Sequence, residues 1–286
     1  MDLKQLIHSQ FDDLSKSQKK VATHILDFPR QVALSSAQEM GEAIGVSETT
    51  VIRFCYSLEF SGYTELQKAI REQLLSPESS LSAYQQAKVE LQQQPHFFAQ
   101  VMEQDRAAIA ETAKGIEEAD YDLAVERLSQ ARKVHVLGLR SSFAAANWLS
   151  YTLGLVRSEV QLIRPETEDV IQTLSEMDSG SVLIVISFHR YLKETVKIAE
   201  LAKEQGCFVI GISDSQLAPI HAASDVLFPI YSPNKSTLDA TASLFSFMNA
   251  LAAGLVVKEK EAFGQRQEKY RALDSDYLFI EGAGKK

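Results

Sequence analysis

Between Lys133 and Phe228 the sequence alternates short, almost unbroken apolar runs with amphipathic stretches of helical period. The runs are Val134-His135-Val136-Leu137-Gly138, Val182-Leu183-Ile184-Val185-Ile186-Ser187, Cys207-Phe208-Val209-Ile210-Gly211-Ile212-Ser213 and Val226-Leu227-Phe228, with a further strand expected near Val160 to Ile163. A strand that is apolar on both sides needs cover on both; antiparallel strands with a wet face alternate instead. Helical segments at 143–156, 168–177 and 193–205 separate the runs. The pattern therefore predicts a parallel sheet covered by helices on both faces, an α/β architecture. Ligands of such sheets bind at the carboxyl ends of the strands. A long apolar helix at 236–260 closes this part, and the charged tail from 261 is expected to be helical in part.

The N-terminal quarter has a different texture. Leu14 to Phe28 reads as a helix: Ser15 and Gln18 have capping-box spacing, Val21, Ile25 and Phe28 share an apolar face, and Pro29 stops it. A second helix starts after Ser35 or Ser36 and is expected to bury Met40, Ala43 and Ile44. Gly45 offers the left-handed conformation that ends a helix at little cost. Ser47 then caps a third helix with Val51, Phe54 and Leu58 inward and Cys55 a further candidate. Gly62 is expected to break it, and an amphipathic helix over 63–75 follows. Two short helices around the turn Gly45-Val46-Ser47 have the layout of a helix-turn-helix, whose second helix enters a DNA groove. The alternative is a small helical subdomain with exposed polar residues. Glu48, Thr49, Thr50 and Arg53 point outward near the start of the third helix and, with the cap residues Ser36 and Ser47, are the candidate DNA contacts. Arg53 suits a guanine or a phosphate; Thr49 and Thr50 suit thymine methyls or phosphates.

A chain of 286 residues has room for about two domains. The expected division is a helix-turn-helix domain over 1–76, a linker and connecting helix over 77–105, and the α/β domain over 106–286. The polar stretch 76–95 reads as the connector, and Phe97 to Ala113 and Tyr121 to Ala131 as amphipathic helices. With 45% hydrophobic residues the chain can bury a core. Its net charge of −9 gives a weak electrostatic signal for DNA, since phosphate contacts need Lys and Arg. The DNA reading rests on the helix pattern, and a dimer or tetramer would add binding heads. Cys55 and Cys207 fall in different domains without metal spacing, so neither a bridge nor a zinc site is expected, in keeping with a reducing cytoplasm. The first residues lack the charged start and apolar block of a signal peptide, and no apolar run approaches the ~20 residues that span a bilayer. A soluble, cytoplasmic protein without membrane contact is the expectation.

Chemistry concentrates at two strand ends. The first apolar run ends Gly138-Leu139-Arg140-Ser141-Ser142, and a helix follows directly. Amides at a helix start, two hydroxyls and an arginine can cradle a phosphate or carboxylate. Equally, Ser141 or Ser142 can serve as a plain N-cap. The third run ends Ser187-Phe188-His189-Arg190-Tyr191 on the same rim of the sheet. An arginine and a histidine there suit an anion; pairing of Arg190 with Glu194 or Asp214 is the alternative. Two strand ends converging on one rim favour the anion site. No cofactor, metal or catalytic residue is expected: the dinucleotide fingerprint lacks its second Gly, no His, Cys, Asp or Glu cluster has metal spacing, and the G-x-S-x-G elbow is missing. An aldose–ketose isomerase needs a Glu or His base over the sugar carbons. His221, Glu166 and Glu168 are candidates, and nothing in the sequence singles one out. His135, within a strand, is expected to be packed.

The segments LSKSQKKVATHILDFP and AQEMGEAIGVSETTVIRFCYSLEFSGYTELQKAI resemble the helix-turn-helix of the RpiR/MurR family of bacterial transcriptional regulators. VHVLGLRSSFAAA and VLIVISFHRYLKETVKIAELAKEQGCFVIGISDS resemble the sugar-isomerase (SIS) domain of that family, in the same order along nearly the whole chain. The resemblance implies an N-terminal all-α helix-turn-helix domain followed by a parallel-sheet, three-layer α/β/α SIS domain. It also implies a homodimer or homotetramer whose partners are double-stranded operator DNA and an anionic small-molecule effector. A sugar-phosphate isomerase with an appended helical domain is the alternative. In the family pattern, hydroxyls after the first strand and those of an S-x-S-G-x-T motif after the third hold a phosphate. Ser141 and Ser142 match the first set and Ser187 opens the second, while His189 replaces the second Ser, Arg190 the Gly and Leu192 the Thr. Two hydroxyls are lost and a positive group is gained. The expected effector is therefore a phosphosugar held differently or another anion, such as an organic acid or amino-acid derivative. Gly138, Arg140, Ser141, Ser142, Ser187, His189 and Arg190 form the candidate effector set. Glu59 stands where the family usually has Gly.

Overall fold

The computed structural model describes residues 3–11, 14–75, 80–92, 95–233 and 236–272. The chain divides into two compact units, residues 1–78 and 79–286. In the first, helices α1 (Leu3–Gln10), α2 (Lys16–Asp27), α3 (Pro29–Leu34), α4 (Ala37–Ile44), α5 (Glu48–Ser57) and α6 (Tyr63–Leu75) enclose a core that includes Ile7, Val21, Met40, Val51, Phe54 and Leu66. The expected capping box of Ser15 and Gln18 opens α2. Pro29 both ends α2 and opens α3, where its missing N–H leaves no bond unmade. A second capping box, Ser36 with Glu39, opens α4, and the backbone N–H of Ser36 holds the Glu39 carboxyl below its usual range.

Gly45 ends α4 in the left-handed conformation, φ 69°. The buried face of α4 is Ala37, Met40 and Gly41; Ala43 is exposed and Ile44 half-buried, a correction to the expected face. Gly41 explains the offset. A Cβ there would lie 2.8 Å from the carbonyl oxygen of Val46 and 3.3 Å from the amide of Glu48, so α4 presses its glycine directly against the turn. Helix α5 stops at Leu58, ahead of Gly62, because Glu59 takes a left-handed φ of 66°. The position where the family usually has Gly thus keeps a glycine conformation without the glycine.

The second unit runs α7 (Ser80–Gln92), α8 (Phe97–Lys114), α9 (Glu118–Gln130), β1 (Lys133–Gly138), α10 (Phe143–Val156), β2 (Val160–Leu162), α11 (Val170–Ser175), β3 (Ser181–Ile186), α12 (Lys193–Glu204), β4 (Phe208–Ser213), β5 (Val226–Pro229), α13 (Thr237–Lys258) and α14 (Lys260–Ala272). The five strands are parallel in the order β2-β1-β3-β4-β5. Leu128 of α9, Leu149 and Leu153 of α10 and Leu251 of α13 cover one face; Leu174 of α11 and Ile198 and Ala202 of α12 cover the other. The three-layer α/β/α expectation is met.

By length and mean hydropathy (1.7) α13 is long and apolar enough to cross a bilayer, against the sequence expectation that no run came near. Its Leu244, Phe247, Met248, Leu251 and Leu255 lie in the core beside the sheet, which accounts for that composition.

From β1 the chain crosses to β2 on one side and returns to β3 on the other. The adjacent ends of β1 and β3, with Gly138 opposite Ile186, are thus the point where such sheets open a crevice. A Cβ on Gly138 would lie 2.7 Å from the carbonyl oxygen of Ser142 and 2.8 Å from the Ala146 Cβ. Glycine there lets α10 begin hard against the strand end.

Candidate DNA-reading face and effector cavity

On α5, Val51, Phe54 and Cys55 are buried while Glu48, Thr49, Arg53 and Tyr56 are exposed. Thr50 is half-buried: its amide donates to the Ser47 hydroxyl at 3.2 Å, and the two hydroxyls lie 2.9 Å apart. The Ser36 hydroxyl likewise accepts the Glu39 amide at 3.2 Å. Ser36, Ser47 and Thr50 therefore spend their hydroxyls on starting helices, and Glu48, Thr49 and Arg53 remain directed at solvent. Gln18 of α2 donates to the Arg53 carbonyl at 3.4 Å, fixing the backbone beneath that guanidinium. Tyr56, 58% exposed and one turn after Arg53, belongs to the same face and was not anticipated. Its spacing of three residues from Arg53 was the available signal.

In the second unit a cavity of about 490 Å³ opens at the ends of β1 and β3. Its polar lining is Arg140, Ser141, Ser142, Ser187, His189, Arg190, Thr195, Ser236 and Thr237; Leu139, Ile186, Phe188, Leu192 and Leu238 complete it. Six of the seven candidate effector residues meet here. The seventh, Gly138, stands behind the wall in its packing role. Thr195, Ser236 and Thr237 were missed. Thr195 is buried in the first turn of α12, where it supplies a hydroxyl three residues after the one that Leu192 lacks. Ser236 and Thr237 come with α13, whose N-cap is Ser236, and the cap-like Ser before a long apolar run was the available signal.

Three helices begin at this cavity. Their N-caps, Ser142, Leu192 and Ser236, all line it. Ser142 and Leu192 make no side-chain cap bond, so the plain N-cap alternative does not describe Ser142. Helix starts carry unpaired amides and partial positive charge, which favour an anion. Among the described lining residues there is no Asp or Glu. Among the described residues, neither Arg140 nor Arg190 forms an ion pair. Asp214 instead accepts the Tyr191 hydroxyl at 2.8 Å. Arg140 and Arg190 both adopt a left-handed backbone, φ 52° and 68°, a conformation that disfavours any side chain with a Cβ. At Arg190 the motif's glycine geometry is retained and a cation added.

The isomerase candidates lie elsewhere. The Nδ1 of His221 is 2.7 Å from the Gln216 carbonyl oxygen, and Glu168 lines a separate hollow with Lys133, Asp169 and Glu176. Glu166 is exposed and does not line the cavity. Among the described residues no three of His, Cys, Asp and Glu are placed to hold a metal ion. Cys55 and Cys207 are buried, and burial pushes their thiols up to about 11 and about 12. His135 is fully buried with neither ring nitrogen hydrogen-bonded, and burial, reinforced by Lys133, pushes it down to about 4.

Residues 1–77 match the family model for the helix-turn-helix domain of the rpiR family, and residues 127–257 the model for the SIS domain. The HTH-type transcriptional regulator HexR of Pseudomonas aeruginosa is 29% identical over 242 residues, covering 83% of this chain and 81% of its own. HexR of Escherichia coli K12 is 28% identical over 224 residues, 75% and 73% of the two chains. The Vibrio vulnificus NanR protein, solved in complex with ManNAc-6P, is similar in fold with a TM-score of 0.60 at 19% identity, over 98% of this chain and 100% of that one. The sugar isomerase domain of an RpiR transcription factor from Sphaerobacter thermophilus has a TM-score of 0.57 at 23% identity, over 61% of this chain and 98% of that one. With an rpiR-type reader followed by a SIS domain, and named regulators matching along most of its length, the chain belongs to the RpiR family of helix-turn-helix transcriptional regulators.

Proposed function

We propose that the cavity binds an anionic metabolite through Arg140, Ser141, Ser142, Ser187, His189 and Arg190, and that its occupancy changes the affinity of the α5 face for operator DNA. The observation that carries this is the cavity's charge: two arginines without ion-pair partners among the described residues, three helix starts and no described carboxylate in the wall. The ManNAc-6P in the NanR complex supports phosphosugars as the first ligands to try, with other organic anions beside them. Thr195, Ser236 and Thr237 join the effector set. On the DNA side Glu48, Thr49 and Arg53 approach base edges, with Tyr56 one turn further along. Two heads of a homodimer or homotetramer would read half-sites about 10 base pairs apart or a multiple of that.

The effector acts by binding one arrangement of the regulator better than another, so it shifts operator affinity by no more than that difference. Titration of labelled operator with the full chain, with and without saturating ligand, tests it. A clear change in DNA affinity is expected; a ligand that binds saturably and leaves operator affinity unchanged overturns the proposal. The isomerase alternative requires a base, and among the described lining residues His189 is the one His, Asp or Glu in the cavity wall. A coupled assay across common sugar phosphates is expected to show no turnover.

A further inference from the structure

We infer that Asp214 and Tyr191 are positioning residues for the effector: they fasten the turn that holds His189 and Arg190 over the cavity. The inference rests on the anion-binding proposal above. The chain leaves β3 through residues 187–192 with Arg190 at φ 68°. A side chain as large as arginine stays in that region only when its surroundings fix it there. Two fastenings do so. Ahead of Arg190, the Ser187 amide donates to the Ile212 carbonyl at 3.0 Å, and the buried Ser213 hydroxyl donates to the Ser187 carbonyl at 2.6 Å. These stitch the start of the turn to the end of β4. Beyond Arg190, the Tyr191 hydroxyl donates to Asp214 Oδ1 at 2.8 Å, and Ser213 Oγ lies 3.3 Å from the same oxygen.

The Tyr191 ring then meets His189 edge-on, with centroids 6.3 Å apart at 71°. Arg190 is therefore bracketed by two rings in contact, one of them tethered to the neighbouring strand. Asp214 is 4% exposed and does not line the cavity, so its charge is kept out of the anion's path. What it provides is an acceptor at a fixed place, and what Tyr191 provides is the reach to it. Loss of that bond removes the fastening beyond Arg190 and loosens the hold on its left-handed conformation over the cavity.

Calorimetric titration of the full chain with inorganic phosphate tests this, in wild type and in Tyr191→Phe, Arg190→Ala and the double variant. Tyr191→Phe keeps the ring and removes only the hydroxyl. We expect it to weaken phosphate binding about tenfold in the wild-type background and to cost markedly less once Arg190 is gone, when only the part acting through His189 remains, the coupling expected of residues that act through one another. A loss that is equal in both backgrounds, or no loss, overturns the positioning role. Asp214→Asn keeps an oxygen for the tyrosyl hydroxyl and should restore most of the affinity that Asp214→Ala loses. Equal losses in those two variants also overturn it. If wild type does not bind phosphate at all, the reading of the cavity as a phosphate site fails first and this inference with it.

Discussion

At Arg190 two demands on one residue oppose each other: the backbone favours glycine and the cavity favours a cation. Arg190→Gly separates them. It should raise stability by about 0.5–1 kcal/mol in denaturant unfolding, the relieved left-handed cost less the extra freedom of glycine when unfolded. The same variant should lose at least tenfold in anion affinity. His135 is the other residue under tension. Its folded pKa of about 4 lies below the ordinary 6.5, so between those values the unfolded chain binds the proton that the folded one refuses. Stability should therefore be unaffected by this group above pH 7 and fall as the pH drops, by about 2 kcal/mol between pH 7 and pH 5. Denaturant unfolding of His135→Leu at both values should show that part of the slope removed.

At the level of elements, much was legible because local rules and tertiary packing agree. The span of α10, the box of Ser15 with Gln18, the left-handed Gly45 and the Ser47 cap all follow from residues within a few positions of each other. The face of α4 was not legible, because Gly41 is buried by its approach to the turn at Val46, a contact that helical periodicity does not contain. The outward side of α5 was legible from its inner residues, while the hydroxyls of Ser36, Ser47 and Thr50 could be assigned to capping only once their bonds were seen. Arg53 thus becomes the side chain to test. Arg53→Ala should weaken specific operator binding by about 1–3 kcal/mol if it reads a base. A loss similar on every sequence, with a flatter salt dependence, identifies a phosphate contact instead.

Across the second unit, the cavity is assembled from segments that the sequence keeps far apart. Two strand ends could be paired from the α/β pattern, but Ser236 and Thr237 arrive from the far end of the domain, and only the closed fold brings them in. The helix that carries them is held at its first turn by a buried ion pair. Lys88 of α7 lies 3.2 Å from Asp239 and also donates to Gln104 of α8 at 2.7 Å, with the two charged side chains 14% and 6% exposed. Lys88→Met takes this pairing away from a buried carboxylate and should cost more in denaturant unfolding than loss of a surface pair such as Lys68 with Glu72.

The central claim is that this cavity takes an anion. It is tested most directly by the thermal stability of the full chain against a panel of phosphosugars, organic acids and amino acids, beside an Arg140→Ala/Arg190→Ala variant. A ligand at 100-fold its dissociation constant should stabilise the wild type by about 2.7 kcal/mol and leave the variant's melting unchanged. A panel without any stabilising anion, or one that stabilises both proteins equally, contradicts the claim.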